Sequence, residues 1–241
     1  MAIPRFYLPA RLADHSRVDL NDTVARHAQG ALRLREGDAL ILFDGEGREC
    51  TGFLQRDGKQ LYAALTECRE SSRESPLDIT LVQGISSGER MDYTLQKAVE
   101  LGVSHIIPVF MQRSVVRLDN DRLPRRHAHW RGVVAAACEQ CGRNHLPEVA
   151  NPMAFADWIK NRPSVPTLLL DPEAKHTLSQ LQNSGSTWTL LAGPEGGFDP
   201  RERDTALNAG CIGVRMGPRI LRTETAAVAA LAAMQTLWGD F

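Results

Sequence analysis

The spacing of apolar and polar positions changes character near residue 70. Before that point the chain reads as short strands. Asp38-Ala39-Leu40-Ile41-Leu42-Phe43-Asp44 predicts a strand, and Gly45-Glu46-Gly47 a turn. Gly52-Phe53-Leu54-Gln55 and Leu61-Tyr62-Ala63-Ala64-Leu65 flank Asp57-Gly58, a hairpin signal. One short helix is predicted from about Asn21, a capping residue, to Leu34. Several short strands in residues 1–70 predict a small β-barrel. The polar stretch Glu70-Ser71-Ser72-Arg73-Glu74-Ser75-Pro76 predicts a linker, placed at residues 71–76.

From Leu77 strands alternate with helices, which predicts a mainly parallel α/β sheet over residues 77–241. The expected strands are Leu77–Ile85, Ser104–Phe110, Thr167–Leu170, Thr187–Ala192 and Ile212–Met216. The expected helices are Arg90–Leu101, Arg122–Cys141, Arg201–Asn208 and Thr223–Trp238, the first two closed by Gly102 and Gly142. The last helix is apolar on every face through Ala226–Met234, so burial all round is expected, within the domain or against a second subunit.

Composition narrows the class. Of 241 residues, 43% are apolar and 24% charged, as in ordinary soluble domains. No apolar run approaches the ~18 residues of a membrane span, and the first residues lack the layout of a signal peptide. Five cysteines, an odd number, argue against a disulfide framework and for a reducing cytoplasm. A net charge of −1 gives no global support for nucleic-acid binding, so only a local patch would serve. The 28 basic residues include only Lys59, Lys97, Lys160 and Lys175 as lysines. Arginine suits phosphate and base recognition, although genome composition produces the same bias.

Four segments carry candidate chemistry. Gly84-Ile85-Ser86-Ser87-Gly88 matches a nucleophile elbow, with Asp171 and His176 following in hydrolase order. Too little α/β chain precedes it, so a simple strand–helix turn is preferred. Cys138-Glu139-Gln140-Cys141, near His145, is one cysteine pair where a structural zinc site wants two. Gly193-Pro194-Glu195-Gly196-Gly197-Phe198 and Gly217-Pro218-Arg219-Ile220-Leu221-Arg222-Thr223-Glu224-Thr225-Ala226 both follow strands. Ligands bind at such carboxyl ends, and glycine lets backbone approach them closely. Neither loop carries a dinucleotide or triphosphate signature. Glu195 is placed to face a cation, and Arg219, Arg222 and Glu224 are expected to form a polar cluster. Lastly, Arg113, Arg117, Arg122, Arg125, Arg126 and Arg131 stand with His127 and His129 against only Asp119 and Asp121. Such a stretch is either a solvated helix face or a contact for RNA phosphates and unstacked bases.

These blocks together resemble the RsmE-like ribosomal RNA methyltransferases of the SPOUT class. The likeness covers nearly the whole chain. It includes Ile3-Pro4-Arg5, Leu42-Phe43-Asp44-Gly45, Gln96-Lys97-Ala98-Val99-Glu100-Leu101-Gly102-Val103, Ala137–Arg143 and the two glycine-rich loops. One departure is Gly30-Ala31-Leu32-Arg33, where many relatives carry Arg-Val-Leu-Arg.

The resemblance implies a PUA-like RNA-binding barrel followed by an α/β domain with a trefoil knot, an exception to the usual absence of knots. It implies S-adenosylmethionine as cofactor, held by Leu170, Gly193, Pro194, Glu195, Gly196, Gly197, Met216, Gly217, Ile220, Leu221, Thr225 and Ala226. It implies methylation of uridine N3 in 16S ribosomal RNA, in an assembled or nearly assembled small subunit, by a cytoplasmic homodimer with no metal and no membrane partner. Arg222 is expected to stabilise the uracil anion, and Glu224 to accept the proton or orient an arginine. Arg5, Arg33, Arg113, Arg117, Arg125, Arg126 and Arg219 are the expected RNA contacts.

Overall fold

The computed structural model describes residues 3–115, 121–183 and 185–241. The chain divides into two compact units, one of residues 1–74 and 135–146, the other of residues 75–134 and 147–241. The first unit contains strands β1 (Arg5–Tyr7) and β2 (Arg17–Asp19), helix α1 (Asp22–Arg26), and strands β3 (Ala39–Phe43), β4 (Arg48–Asp57) and β5 (Gln60–Glu70). The sheet order is β1-β3-β4-β5-β2, with β1 parallel to β3 and the other pairs antiparallel. Strand alternation turns Cys50, Leu54, Leu61, Ala63 and Leu65 into a core shared with Phe6, Leu40 and Leu42. β1 and β2, three residues each, are the sheet edges, so no β1–β2 ladder closes the expected barrel.

Asn21 caps α1, its side chain accepting from the Val24 amide at 2.9 Å. The helix expected to reach Leu34 instead widens into a π-helical turn over His27–Ala31, which contains Gly30, and Arg33 beyond it takes φ 54°. The hairpin turn is Gly58-Lys59, one residue later than expected, because Asp57 pairs with Gln60. Gly58 supplies the positive φ of 58° that such a turn needs. Across this hairpin Cys50 and Cys68 are register partners, Cα atoms 4.0 Å apart, and they form a disulfide. This corrects the expectation of unpaired thiols: strand register, not a spacing motif, brings them together. Cys138, Cys141 and Cys211 remain free.

The expected second domain held all of residues 77–241, but 135–146 belong to the first unit. Polar contacts explain the placement. Glu139 accepts from the Tyr7 amide at 2.9 Å. Asn144 donates to Glu49 at 3.2 Å and to the Ser71 carbonyl at 3.0 Å, and accepts from Arg5. Glu49 is buried at the centre, 2.6 Å from Arg5 and 2.7 Å from Arg69. Burial alone pushes its carboxyl up, but hydrogen bonds from Arg5, Arg69 and Asn144 outweigh burial and hold it at about 2.

In the second unit, β6 (Asp78–Gly84), α2 (Gly88–Glu100), β7 (His105–Phe110) and α3 (Leu123–Cys141) come first, the end of α3 lying in the first unit. Then follow β8 (Glu148–Val149), β9 (Met153–Ala154), α4 (Phe155–Asn161), β10 (Thr167–Leu170) and β11 (His176–Thr177). The last elements are β12 (Thr187–Ala192), α5 (Pro200–Asn208), β13 (Ile212–Arg215) and α6 (Thr223–Trp238). The sheet order is β11-β13-β10-β12-β6-β7-β8, with β9 also on β7, and every pair is parallel. All four β10 residues are buried, as a sheet covered on both faces requires. Val82, Val109, Leu169 and Leu191 pack under Phe155 and Trp158 of α4 and Ala206 of α5.

Helices α2 and α6 pack on each other. α2 buries Met91, Leu95, Ala98 and Val99, and α6 buries Ala227, Ala230, Leu231 and Met234. The apolar last helix is therefore buried on one face only; Val228, Ala229, Ala232 and Ala233 are half-buried. Gln235 joins the two helices, donating to the Leu101 carbonyl and accepting from the Ser75 hydroxyl, each at 2.8 Å. Among the described residues no helix is long and apolar enough to cross a membrane.

The Glu49 cluster predicts an acid response. Because its folded pKa is depressed from 4.5 to about 2, its stabilisation is complete above the higher value and disappears as pH falls through the lower. The shift corresponds to about 3 kcal/mol. Urea denaturation from neutrality down to acid should show wild type losing this increment relative to Glu49→Gln. Parallel pH curves for the two proteins would remove Glu49 from that role.

Candidate active site

Strands β13, β10 and β12 are neighbours, and the loops leaving their carboxyl ends enclose a cavity of about 240 Å³. Open α/β sheets hold ligands at this edge. β10 contributes Leu170, then Asp171 and Pro172; β12 contributes Ala192 and the loop to Phe198. Val214, Met216, Arg219, Ile220 and Leu221 come from β13 and its loop, and Thr223 and Ala226 from α6.

The second strand end is built by close approach. A Cβ on Gly84, at the end of β6, would lie 2.5 Å from the Pro194 nitrogen. A Cβ on Gly196 would lie 2.9 Å from both Cβ and the carbonyl oxygen of Arg113. Only glycine fits at either position. Gln83 is fully buried, and its Nε2 donates to the Gly193 carbonyl at 3.2 Å and to the Thr223 hydroxyl at 3.0 Å. Thr223 in turn donates to the Gly193 carbonyl at 2.5 Å. The start of α6 and the end of β12 are thus fixed to one carboxamide.

Glu195 does face a cation, and it is Arg90 of α2, at 3.5 Å. Its Oε1 also accepts from the amide and hydroxyl of Ser87, both at 2.6 Å. Burial raises its pKa, but the Ser87 hydrogen bonds, its own amide and Arg90 prevail and lower it, so the carboxylate is ionised at neutral pH. Its Oε2 is buried with no hydrogen-bond partner among the described residues.

Arg222 is the N-cap of α6, exposed, with extended backbone and no side-chain cap bond. Glu224 follows in the first turn, its side chain 15% exposed and its Oε2 buried without a hydrogen-bond partner among the described residues. It lies 4.0 Å from Arg90. The expected Arg219–Arg222–Glu224 cluster does not form as ion pairs; among the described residues Glu224 turns to α2 instead, because Arg90 rises from the facing helix.

The expected cofactor residues Leu170, Gly193, Pro194, Glu195, Gly196, Gly197, Met216, Ile220, Leu221 and Ala226 line the cavity; Gly217 and Thr225 do not. Asp171, Pro172, Phe198 and Thr223 line the cavity without having been expected at the cofactor: Asp171 entered only as a hydrolase partner, and Phe198 and Thr223 only as members of the two loops; Gln83 and Arg90, outside the lining, were not expected at all. Strand-end position was the available signal for Asp171 and Thr223. Arg219, expected at RNA, is exposed and lines the cavity too. Arg5 is turned to Glu49, its side chain 14% exposed. Arg33 and Arg125 are exposed, Arg126 is half-buried, and Arg113 donates to the Gly196 carbonyl at 3.3 Å. Arg117 lies outside the described residues.

The competing readings lose their geometry. The Ser86 hydroxyl is buried and donates to the Gly84 carbonyl at 3.2 Å, with no histidine bonded to it among the described residues. Asp171 pairs with Arg203 at 2.7 Å, and His176 is exposed. The buried Cys138 thiol is pushed up to about 12, chiefly by burial, and points to the His145 carbonyl. Among the described residues no group of three His, Cys, Asp or Glu is placed to hold a metal.

Comparison with known proteins shows the family. Residues 73–235 match the RNA methyltransferase domain family, and residues 20–65 the RNA methyltransferase PUA domain. The ribosomal RNA small subunit methyltransferase E of Buchnera aphidicola (subspecies Schizaphis graminum) is 33% identical over 99% of this chain and 98% of its own. The Bacillus subtilis protein of that name is 28% identical over 86% and 85%. The crystal structure of the Neisseria gonorrhoeae protein of that name, bound to S-adenosyl methionine, superposes with TM-score 0.91 at 42% identity over 100% of both chains. With a cavity at the expected strand ends and likeness along its whole length, this chain belongs to the ribosomal RNA small subunit methyltransferase E family.

Proposed function

We propose that this protein methylates N3 of a uridine in 16S ribosomal RNA, using S-adenosylmethionine, as a homodimer whose second domain is knotted. The observation that carries the reading is one cavity walled by the Gly193–Gly197 loop and by Thr223 of α6, the residue between Arg222 and Glu224 in the chain. The cavity fits the cofactor in two respects. Glycine backbone at Gly193, Gly196 and Gly197 forms its wall, where polar groups of an adenosine can meet main-chain partners. Glu195, ionised and with one oxygen unpartnered, is a counter-charge suited to a sulfonium. Bound there, S-adenosylmethionine supplies an electrophilic methyl group.

The chain's own residues handle the base. Uracil N3 holds a proton near neutrality, so its lone pair is poor until that proton leaves. Arg222, exposed and free of capping duty at the positive end of α6, is suited to stabilise the developing anion. Glu224 is suited to take the proton or to orient Arg90, 4.0 Å away. Arg33, Arg113, Arg125, Arg126 and Arg219 are the surface cations left to hold RNA. Arg5 is not among them, because Glu49 and Asn144 engage it. The knot rests on the likeness of residues 73–235 to the RNA methyltransferase domain family.

Mass mapping of nucleosides in 16S RNA treated with protein and labelled donor tests the product directly. N3-methyluridine is expected; a ribose 2′-O-methyl product would move the enzyme to another SPOUT activity. Arg222→Ala should lower kcat roughly 10²–10³-fold while donor affinity holds. Arg222→Lys should rescue poorly, since a point charge lacks the planar fork. Wild-type turnover of Arg222→Ala at saturation would make Arg222 structural only. Gly196→Val should abolish donor binding in calorimetry, because the new side chain must displace Arg113 into or across the loop. Retained affinity would contradict the cradle.

Dimerisation is expected through the half-buried side of α6, near Leu237, which is 46% exposed. Ala233→Arg should give folded monomers by light scattering. Met234→Glu should instead unfold the chain, since Met234 is buried within one subunit. A wild-type mass of one chain at all concentrations would refute the dimer.

A further inference from the structure

Beside the donor cavity lies a cleft of about 640 Å³ that the reaction described above does not use. It opens at the carboxyl ends of β7 and β9, the same sheet edge as the donor cavity. Phe110 and Phe155 give it an aromatic floor, and Gln112, Ser114, Arg201 and Thr205 a polar border. Phe155 belongs to the hydrophobic cluster with Met111 and Ile159, against which Phe198 packs, and Phe198 also lines the donor cavity. The two hollows therefore share a wall.

The lining carries one cation, Arg201, and one carboxylate, Glu202. The Glu202 oxygens are engaged by backbone amides: Gln112 at 2.9 Å and Asp199 at 3.4 Å. Arg201 is exposed and makes no ion pair among the described residues. Arg113, between lining residues Gln112 and Ser114, donates through Nη1 to the Gly196 carbonyl and makes no ion pair among the described residues. One guanidinium thus lines the cleft and a second stands beside it, while the lining carboxylate keeps its charge but has both oxygens held by backbone amides. That combination suits a flat, hydrogen-bonding base on a polyanionic strand.

We infer that this cleft holds an unpaired nucleobase of the RNA substrate, from a nucleotide flanking the one methylated. The inference rests on the proposed RNA methylation, and it adds a second reading point. A base stacked on Phe110, the half-buried ring of the two, presents its edge to Gln112 and Thr205, while Arg113 and Arg201 meet its phosphates. A strand crossing this edge is then gripped on both sides of Phe198, which limits where the target nucleotide can sit.

Photo-crosslinking of the full chain to 16S RNA carrying 4-thiouridine, with mass spectrometry of the adducts, tests the placement. Adducts are expected on peptides spanning 110–114 or 154–159. Ala156→Trp fills the cleft from an exposed position of α4. It should weaken RNA binding about ten- to a hundredfold, the loss expected for one stacked base. KM for RNA should rise with it, while kcat at saturation and donor affinity stay at wild-type values. Arg201→Gln should weaken binding less and shrink the salt slope by about one phosphate contact. It also carries the test should Ala156→Trp misfold. Unchanged RNA affinity in both folded variants, or adducts confined to other surfaces, would overturn the inference. Adducts in the cleft from a wild-type protein that makes no N3-methyluridine would instead overturn the proposed product and leave the cleft assignment standing.

Discussion

The carboxamide of Gln83 ties three segments of the second unit together. It is fully buried, and its nitrogen is shared among the Gly84 and Gly193 carbonyls and the Thr223 hydroxyl. A buried donor left unmade costs on the order of 1–3 kcal/mol, so each of these three partners must arrive for the others to be worth holding. The constraint is geometric as well as energetic, since Gly84 leaves only 2.5 Å between an added Cβ and the Pro194 nitrogen. Both segments proposed to carry the chemistry are fixed at that point. Thr223 sets where α6 begins, hence where Arg222 and Glu224 stand, and Gly193 sets where the donor loop leaves β12.

Much of the second unit could be read from its residues because burial there is two-sided. Thr167–Leu170, Thr187–Ala192 and Thr223–Trp238 are found with the limits the sequence predicts. Continuous apolar runs and a threonine or glycine at the boundary leave little freedom. The elements that escaped are short: β8, β9 and β11 have two residues each, too few for any periodicity. α4 has seven and begins directly after β9, so no loop announces it. In the first unit the Cys50–Cys68 bond escaped for another reason. Its determinant is which residues a bulged hairpin sets opposite one another, and register is a property of two strands together.

The candidate site divides along the same line. The glycine-rich loops were legible because glycine and strand-end position are local signals. Gln83, Arg90 and Asp171 were not, because their roles are defined by partners more than thirty residues away: Gly193 and Thr223, Glu195 and Glu224, and Arg203. Arg5 shows the converse. Arginine near an expected RNA surface suggests a phosphate contact, yet Glu49 turns it inward. Whether a guanidinium is free to meet a ligand depends on which carboxylates the fold delivers to it.

Residues 135–146 have an implication for how this protein came to be assembled and how it can be taken apart. They return to the first unit from the middle of the second, so the polypeptide passes between the two three times, at 74/75, 134/135 and 146/147. Asn144 and Glu139 complete the pairing of Arg5, Glu49 and the Tyr7 backbone. A fragment ending at the linker would leave Glu49 and Arg5 without one of their shared partners. The N-terminal part is therefore not a transplantable cassette. Fusing it to another enzyme would require carrying along a dozen residues encoded far downstream, and shuffling by recombination at the linker would break both parents.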